Sequence, residues 1–214
     1  MRTVGWELMI AALGLAVAPA FADEPLKIGQ AAPAFTAIDS NGQTVNLAQF
    51  KGKTVVLEWT NDGCPYVGKW YRSGAMQGLQ REAAQLGAVW LTIASSAPGE
   101  QGYVDASQAN ADTKSRDADP AHVLLDSQGV VGHLYGAQTT PNIFVIRPDG
   151  ALAYVGGADS IATTRVEDMQ KAEPYAREAL EAVVAGRPAP HPVTRPVRLH
   201  DQIFELIVAL TKRG

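Results

Sequence analysis

The residue whose chemistry is most open to action is Cys64, the single cysteine of the chain. It precedes Pro65, and a polar loop, Thr60-Asn61-Asp62-Gly63, leads up to it. Proline suits the first position of a helix, because its missing N–H would be unpaired there anyway. It also pushes the preceding residue out of helical geometry. The pattern therefore predicts Cys64 at a helix N-cap. Its sulfur is expected to face the free N–H groups of Tyr66 and Val67 and the positive end of the helix dipole. Both would favour the thiolate, which is the nucleophilic form of cysteine. The competing reading is an inert, buried structural cysteine.

Other residues stand near this thiol in sequence or have types that suit it. Lys69, one turn further on, offers electrostatic support or is an ordinary solvated lysine. Trp59, Tyr66 and Trp70 offer a shallow apolar groove for a thiol or peptide partner, or core packing instead. Asp62 reads as a proton relay or as a plain loop residue. The four histidines, His122, His133, His191 and His200, show no metal-ligand spacing, so no metal is expected. No phosphate loop, dinucleotide fingerprint or haem motif is present, so no cofactor is expected.

The elements that must position Cys64 follow from the pattern. Phe35–Ile38 and Thr44–Leu47 flank an Asn41-Gly42 turn and read as a hairpin. Thr54–Trp59 is a buried-strand candidate rich in β-branched residues. From Pro65 to about Leu86, apolar residues recur at Val67, Tyr71, Ala75, Leu79 and Ala83, the stripe of one long helix, with Gly74 its weak point. Val89–Ile93 and His122–Leu125 read as strands. Short helices are expected over Gly102–Asn110 and Gln128–Tyr135, and a longer one over Glu167–Ala185. Asn142–Ile146 and Ala151–Val155 form a late hairpin around Pro148-Asp149-Gly150. Alternating strands and helices imply an α/β fold: a mixed central sheet with helices on both faces.

Composition narrows the rest. Apolar residues are 46 % and charged residues 19 %, ordinary for one globular domain. A net charge of -4 argues against a nucleic-acid binder, which would show a basic patch. Residues 1–22 read as a signal peptide. Arg2 starts it, an apolar stretch follows from Met9 to Val17, and Ala20-Phe21-Ala22 is a small-x-small cleavage pattern. An uncleaved anchor is the alternative, though the run is short for a span. The expected location is therefore periplasmic or secreted, with no stable membrane span after cleavage. Residues 23–186 make one domain. Residues 187–214 make a proline-rich linker, with Pro188, Pro190, Pro192 and Pro196, and a short apolar helix over Leu199–Leu210.

Taken together, strand–Trp–loop–Cys-Pro–helix, with Thr140-Pro141 opening a strand much later, resembles the thioredoxin fold. More closely, Lys27-Ile28-Gly29 with Ala32-Pro33-Ala34-Phe35 resembles the opening of the alkyl hydroperoxide reductase/thiol-specific antioxidant (redoxin) family. Glu58–Asn61, Cys64–Val67 and Ser95–Gly99 resemble a redoxin-like bacterial subgroup. The resemblance implies a cis Thr140-Pro141 bond lying against Cys64, whereas local sequence alone favours trans. It implies a thiol-dependent oxidoreductase: a single-cysteine peroxidase served by an external thiol, or a monothiol disulfide-exchange protein. A redox-silent binding module of the same fold is the alternative from another class. The expected partners are an external thiol or a thiol/disulfide protein, and a peroxide.

Three departures bear on this. Dithiol oxidoreductases of the fold carry a second cysteine where this chain has Val67. Typical peroxiredoxins carry Pro-Thr-x-x-Cys, whereas here Asn61 sits three before the cysteine and Thr60 four before it. The tail holds no further cysteine, so no internal resolving thiol exists.

Overall fold

Seven strands form one mixed sheet in the order β2-β1-β5-β4-β3-β6-β7 in the computed structural model, which describes residues 26–196. The strands are β1 (Thr36–Asp39), β2 (Thr44–Asn46), β3 (Val55–Trp59), β4 (Val89–Ala94), β5 (His122–Leu125), β6 (Asn142–Ile146) and β7 (Leu152–Gly156). The helices are α1 (Pro65–Arg72), α2 (Ala75–Gln85), α3 (Ala106–Ser115), α4 (Val130–Tyr135) and α5 (Tyr175–Val184). Strands β3, β4 and β5 are parallel, while β6 runs antiparallel to β3 and β7 antiparallel to β6. This is the thioredoxin-like mixed sheet expected from the sequence, with β1 and β2 as the N-terminal hairpin.

Strand β3 has four strands on one side and two on the other, and all five of its residues are buried. Its side chains alternate between two cores. Val56 faces a core shared with α1, α2 and α5, including Val67, Met76, Leu79 and Leu180. Val55, Leu57 and Trp59 face the other, with Phe35, Tyr135 and Phe144.

The hairpin turn works as read. Gly42 adopts φ +77°, and the Asp39 carboxylate accepts the Asn41 and Gln43 N–H groups at 2.9 and 2.8 Å. His122 Nδ1 adds a contact to Asp39 at 2.7 Å. Burial alone would raise the Asp39 carboxyl, but these hydrogen bonds outweigh it and hold it below the usual carboxylate range.

Four expected elements need correction. The long helix from Pro65 is two helices, because Gly74 takes a left-handed conformation at φ +76° between them. The helix expected over Gly102–Asn110 starts later, at Ala106, where the Asp105 side chain caps it through the Gln108 N–H at 2.8 Å. The helix expected from Glu167 is a 3-10 segment (Val166–Lys171) followed by α5, because Pro174 interrupts it. The linker is extended as expected, but its Pro192–Thr194 stretch pairs with β7. Val155 N–H donates to Pro192 O and Thr194 N–H to Val155 O, both at 3.0 Å. The signal-peptide and tail-helix readings lie outside the described residues. Among the described residues, no helix is long and apolar enough to cross a membrane.

Candidate functional site

Cys64 caps the N-terminus of α1 in extended geometry, φ -80° and ψ 121°, with Pro65 at the first helical position. That part of the sequence reading holds. The sulfur makes no capping hydrogen bond with the helix N–H groups that it is expected to face. The sulfur turns instead to the Thr140 carbonyl, which accepts from Sγ at 3.1 Å. The Thr140-Pro141 peptide is cis and lies beside Cys64, as the resemblance implied and as local sequence did not. Cys64 is partly exposed and packs its inner side against the α1/α2/α5 core.

The loop before Cys64 is tied by its own residues and by the segment between β4 and α3. Asn61 O accepts the Cys64 N–H at 3.0 Å, closing a turn, and Asn61 Oδ1 accepts the Gly63 N–H at 2.9 Å. Asn61 Nδ2 donates to Gln101 O at 3.1 Å, and Gln101 Nε2 donates to Gly63 O at 2.8 Å. The packing is close. A Cβ on Gly63 would sit 2.5 Å from the Gln101 amide nitrogen, and one on Gly102 would collide with Asn61. Asp62 forms an ion pair with Arg116, the residue that ends α3.

Several expected site residues are placed differently. Trp59, Tyr66 and Trp70 are 3 %, 3 % and 5 % exposed, so they line no open groove. The reason is the alternation of β3 and the inward face of α1. Trp59 packs in the core on the far side of the sheet, its ring centroid 5.1 Å from Phe144 and 5.5 Å from Tyr135. Its indole N–H donates to Ser95 Oγ at 3.1 Å. Lys69 is neither solvated nor turned to the thiol. It is 1 % exposed, and its Nζ meets Asp159 Oδ2 at 2.7 Å and Ile161 O at 3.2 Å. Trp70 Nε1 shares the same Asp159 oxygen at 2.9 Å. This buried pair binds α1 to the segment after β7.

Sequence reading missed a second polar centre, six residues before the cysteine. Glu58 is fully buried on the α1 side of β3. Tyr71 Oη, Gln80 Nε2, Trp90 Nε1 and Thr92 Oγ1 all donate to it at 2.9–3.2 Å. Burial pushes the Glu58 carboxyl up from its ordinary value, and the hydrogen bonds oppose that only in part. Tyr71 is pushed well above its usual value, by burial first and then by the Glu58 charge. The available signal was a carboxylate inside an apolar β-branched run. A recess of about 30 Å³, lined in part by Thr60, Asp62, Tyr71, Thr92 and Arg116, lies beside this centre. It has room for water. The Thr60 hydroxyl, buried and without a hydrogen bond, belongs to the same lining.

Among the described residues, no histidine joins a site at Cys64. Away from it, Glu173, Glu178 and His191 bring ligand atoms within 4.8 Å of one another beside α5, a grouping that linear spacing did not reveal.

A model of the AhpC/TSA family matches residues 28–155. A comparison with curated proteins returned no match. Among solved structures, a hypothetical protein from Sinorhizobium meliloti 1021 superposes with a TM-score of 0.66 at 21 % identity, over 81 % of this chain and 91 % of that one. An uncharacterized conserved protein from Geobacillus kaustophilus gives 0.64 at 21 % identity, over 80 % and 88 %. A protein from Chlorobium tepidum named as a thiol:disulfide interchange protein, DsbE, gives 0.50 at 22 % identity, over 75 % and 97 %.

Proposed function

We propose that this chain, which belongs to the AhpC/TSA family and is a thioredoxin-fold thiol-dependent oxidoreductase, works by monothiol disulfide exchange at Cys64. The Cys64 thiolate attacks one sulfur of a substrate disulfide. A mixed disulfide forms, and the second substrate sulfur leaves as a thiolate. An external thiol then attacks the mixed disulfide and returns Cys64 to its reduced form. No internal thiol competes, because Cys64 is the only cysteine.

One observation carries this reading. The sulfur of the partly exposed Cys64 lies against the Thr140 carbonyl, beside Pro141 at the start of β6. A substrate sulfur approaching Cys64 therefore meets a backbone acceptor and a fixed wall rather than a cluster of cations. Asn61, Asp62 and Gly63 hold the loop, Pro65 starts the helix, and Thr140 and Pro141 form the far side. Tyr66 and Trp70 support from the buried face of α1, while Trp59 anchors β3 in the core on the far side of the sheet. The naming of the Chlorobium tepidum neighbour agrees with disulfide exchange.

The test uses oxidised glutathione as the probe, followed by mass spectrometry of the intact protein. A glutathione adduct at Cys64, removed by added dithiothreitol and absent in Cys64→Ser, is the expected result. An unreacted thiol after prolonged exposure would overturn the reading.

Family membership favours a second reading, a single-cysteine peroxidase. There the thiolate attacks a peroxide oxygen, the O–O bond breaks, and water or an alcohol leaves as Cys64 becomes a sulfenic acid. Stoichiometric hydrogen peroxide and a sulfenate-specific reagent separate the two. Rapid labelling, faster than for free cysteine, would support the peroxidase.

The first 22 residues are proposed as an export signal, placing the mature chain from Asp23 in the periplasm or outside the cell. Residues 23–186 form the redoxin domain, and residues 187–214 form its linker and tail.

A further inference from the structure

Lys69 is locked away from the thiol, which leaves the question of which cation serves the Cys64 loop. The structure points to Arg116, fifty-two residues along the chain and outside every motif of the site. Its backbone is anchored first. Gln77 Nε2, from α2, donates to Arg116 O at 2.6 Å and to Tyr71 O at 3.0 Å. That one amide ties the end of α3 to the end of α1. The side chain then runs back along α1 toward its start. The guanidinium carbon stands 4.7 Å from the centroid of the Tyr71 ring, and an Nη meets the Asp62 carboxylate. Tyr71 is itself fixed, because its hydroxyl is held by Glu58. It lies seven residues after Cys64, two turns along the same face of α1. Arg116 is thus braced on a rigid ring at one side and reaches the residue two before the cysteine at the other.

We propose that Arg116 is a positioning residue of the Cys64 site, which neutralises Asp62 so that the anion formed on sulfur does not face an unpaired carboxylate two residues away. The proposal rests on Cys64 reacting as a thiolate, the premise of the disulfide-exchange reading. It deepens that reading by saying how the charge around the thiol is set. The Arg116 side chain is 19 % exposed and that of Asp62 is 56 % exposed, so the pair sits at the edge of solvent, where its field reaches an incoming reagent. A planar guanidinium satisfies the stack and the ion pair together, and lysine would not. Asp112 lines the same recess, but its Oδ1 is engaged by Gln108 Nε2 at 2.6 Å.

The experiment reads the thiol directly and needs no natural substrate. Alkylation of Cys64 in the folded protein is timed with neutral iodoacetamide and with anionic iodoacetate. The ratio of the two rates reports local charge, which packing alone would not move. In Arg116→Gln the iodoacetate-to-iodoacetamide ratio should fall about threefold, the size of one unpaired charge in a solvated setting, and less at high salt. Adding Asp62→Asn to that variant should restore the ratio. Asp62→Asn alone, a change at an exposed side chain, should raise it above the unmodified protein, because it removes the carboxylate that pairs directly with Arg116. It also keeps the proposal testable should Arg116→Gln not fold. An unchanged ratio in either single variant, or a fall that Asp62→Asn does not reverse, would overturn the proposal. Failure of glutathione exchange with these ratios intact would instead count against the exchange reading alone.

Discussion

Glu58 and Trp59 are neighbours in β3, yet they look out on two different chemistries. Trp59 points into a core of aromatic and aliphatic groups. Tyr135 and Phe144 stand edge-on there, with ring centroids 5.4 Å apart. Glu58 points beneath α1, into a cluster where four side chains donate to one carboxyl group. The α1 side also holds the Lys69–Asp159 pair. Both faces bury an apolar core, and the Trp59 face adds a hydrogen bond from its indole to Ser95. The face under the helix that carries Cys64 adds more: a buried carboxyl and a buried ion pair whose polar groups must each find a partner. Such groups fix geometry, because any displacement leaves one of them unsatisfied. Cys64 stands on the face where these polar groups add to the packing.

Removing a member from each side tests that contrast at its largest. Lys69→Ala leaves Asp159 buried without its cation, and about 3–5 kcal/mol of stability should be lost in urea denaturation. Trp59→Ala should cost a similar 3–5 kcal/mol through its cavity. The two should part in chemistry. Lys69→Ala, acting on α1, should change the alkylation rate of Cys64 in the remaining folded protein, and Trp59→Ala should leave it within twofold. Equal effects on that rate would erase the distinction between the faces.

The pH dependence of stability sharpens it further. Burial raises Glu58 in the folded chain above its ordinary 4.5, so between those values the folded chain keeps a proton that the unfolded chain has released. Stability therefore falls as pH rises through that window, by at most about 1.4 kcal/mol per pH unit for one proton. The fall should shrink in Glu58→Gln, measured by urea titrations from pH 4 upward, with Glu82, also raised by burial, supplying what remains. Asp39 and Asp168, both held low, act in the opposite sense and at more acid pH, so they do not mimic it.

A smaller effect belongs to the joint of α1 and α2. Gly74 has φ +76° and open space around its Cα, so Gly74→Ala meets no clash, only backbone strain. A loss of about 1–2 kcal/mol is expected.

The sequence made the strands legible because their apolar runs and turn glycines are local signals. β5 and β6 have the bounds expected, and the Asn41-Gly42 turn is where it was read. Cys64 at the N-cap was legible through Pro65. What failed depended on distance. Lys69 reads as a surface lysine until Asp159, ninety residues later, is brought to it. Trp59 reads as a groove residue until strand alternation turns it to the far core. Arg116 and Gln101 carry no motif, since their contacts to the Cys64 loop exist only once the segment after β4 folds back. The sulfur's turn toward Thr140 likewise depends on β6 arriving beside β3.

Gln101 gives the smallest and most selective prediction. It is exposed, and its amide makes one hydrogen bond to the loop, to Gly63 O at 2.8 Å. Losing a solvent-exposed neutral hydrogen bond should cost under about 1 kcal/mol, so Gln101→Ala should leave the urea midpoint nearly unchanged. The Gly63 carbonyl is nevertheless one peptide from Cys64, and the same segment takes the Asn61 amide through Gln101 O. The side-chain change frees the carbonyl while leaving that backbone contact in place. The Cys64 loop should then sample more positions, slowing glutathione exchange several-fold with the iodoacetate-to-iodoacetamide ratio unaltered, since no charge has moved. A slower exchange with a shifted ratio would mean that Gln101 acts on charge. An exchange rate equal to that of the unmodified protein would mean that the loop is held by Asn61 and Asp62 without it. Only the pairing of slowed exchange with an unmoved ratio assigns Gln101 to geometry and Arg116 to charge.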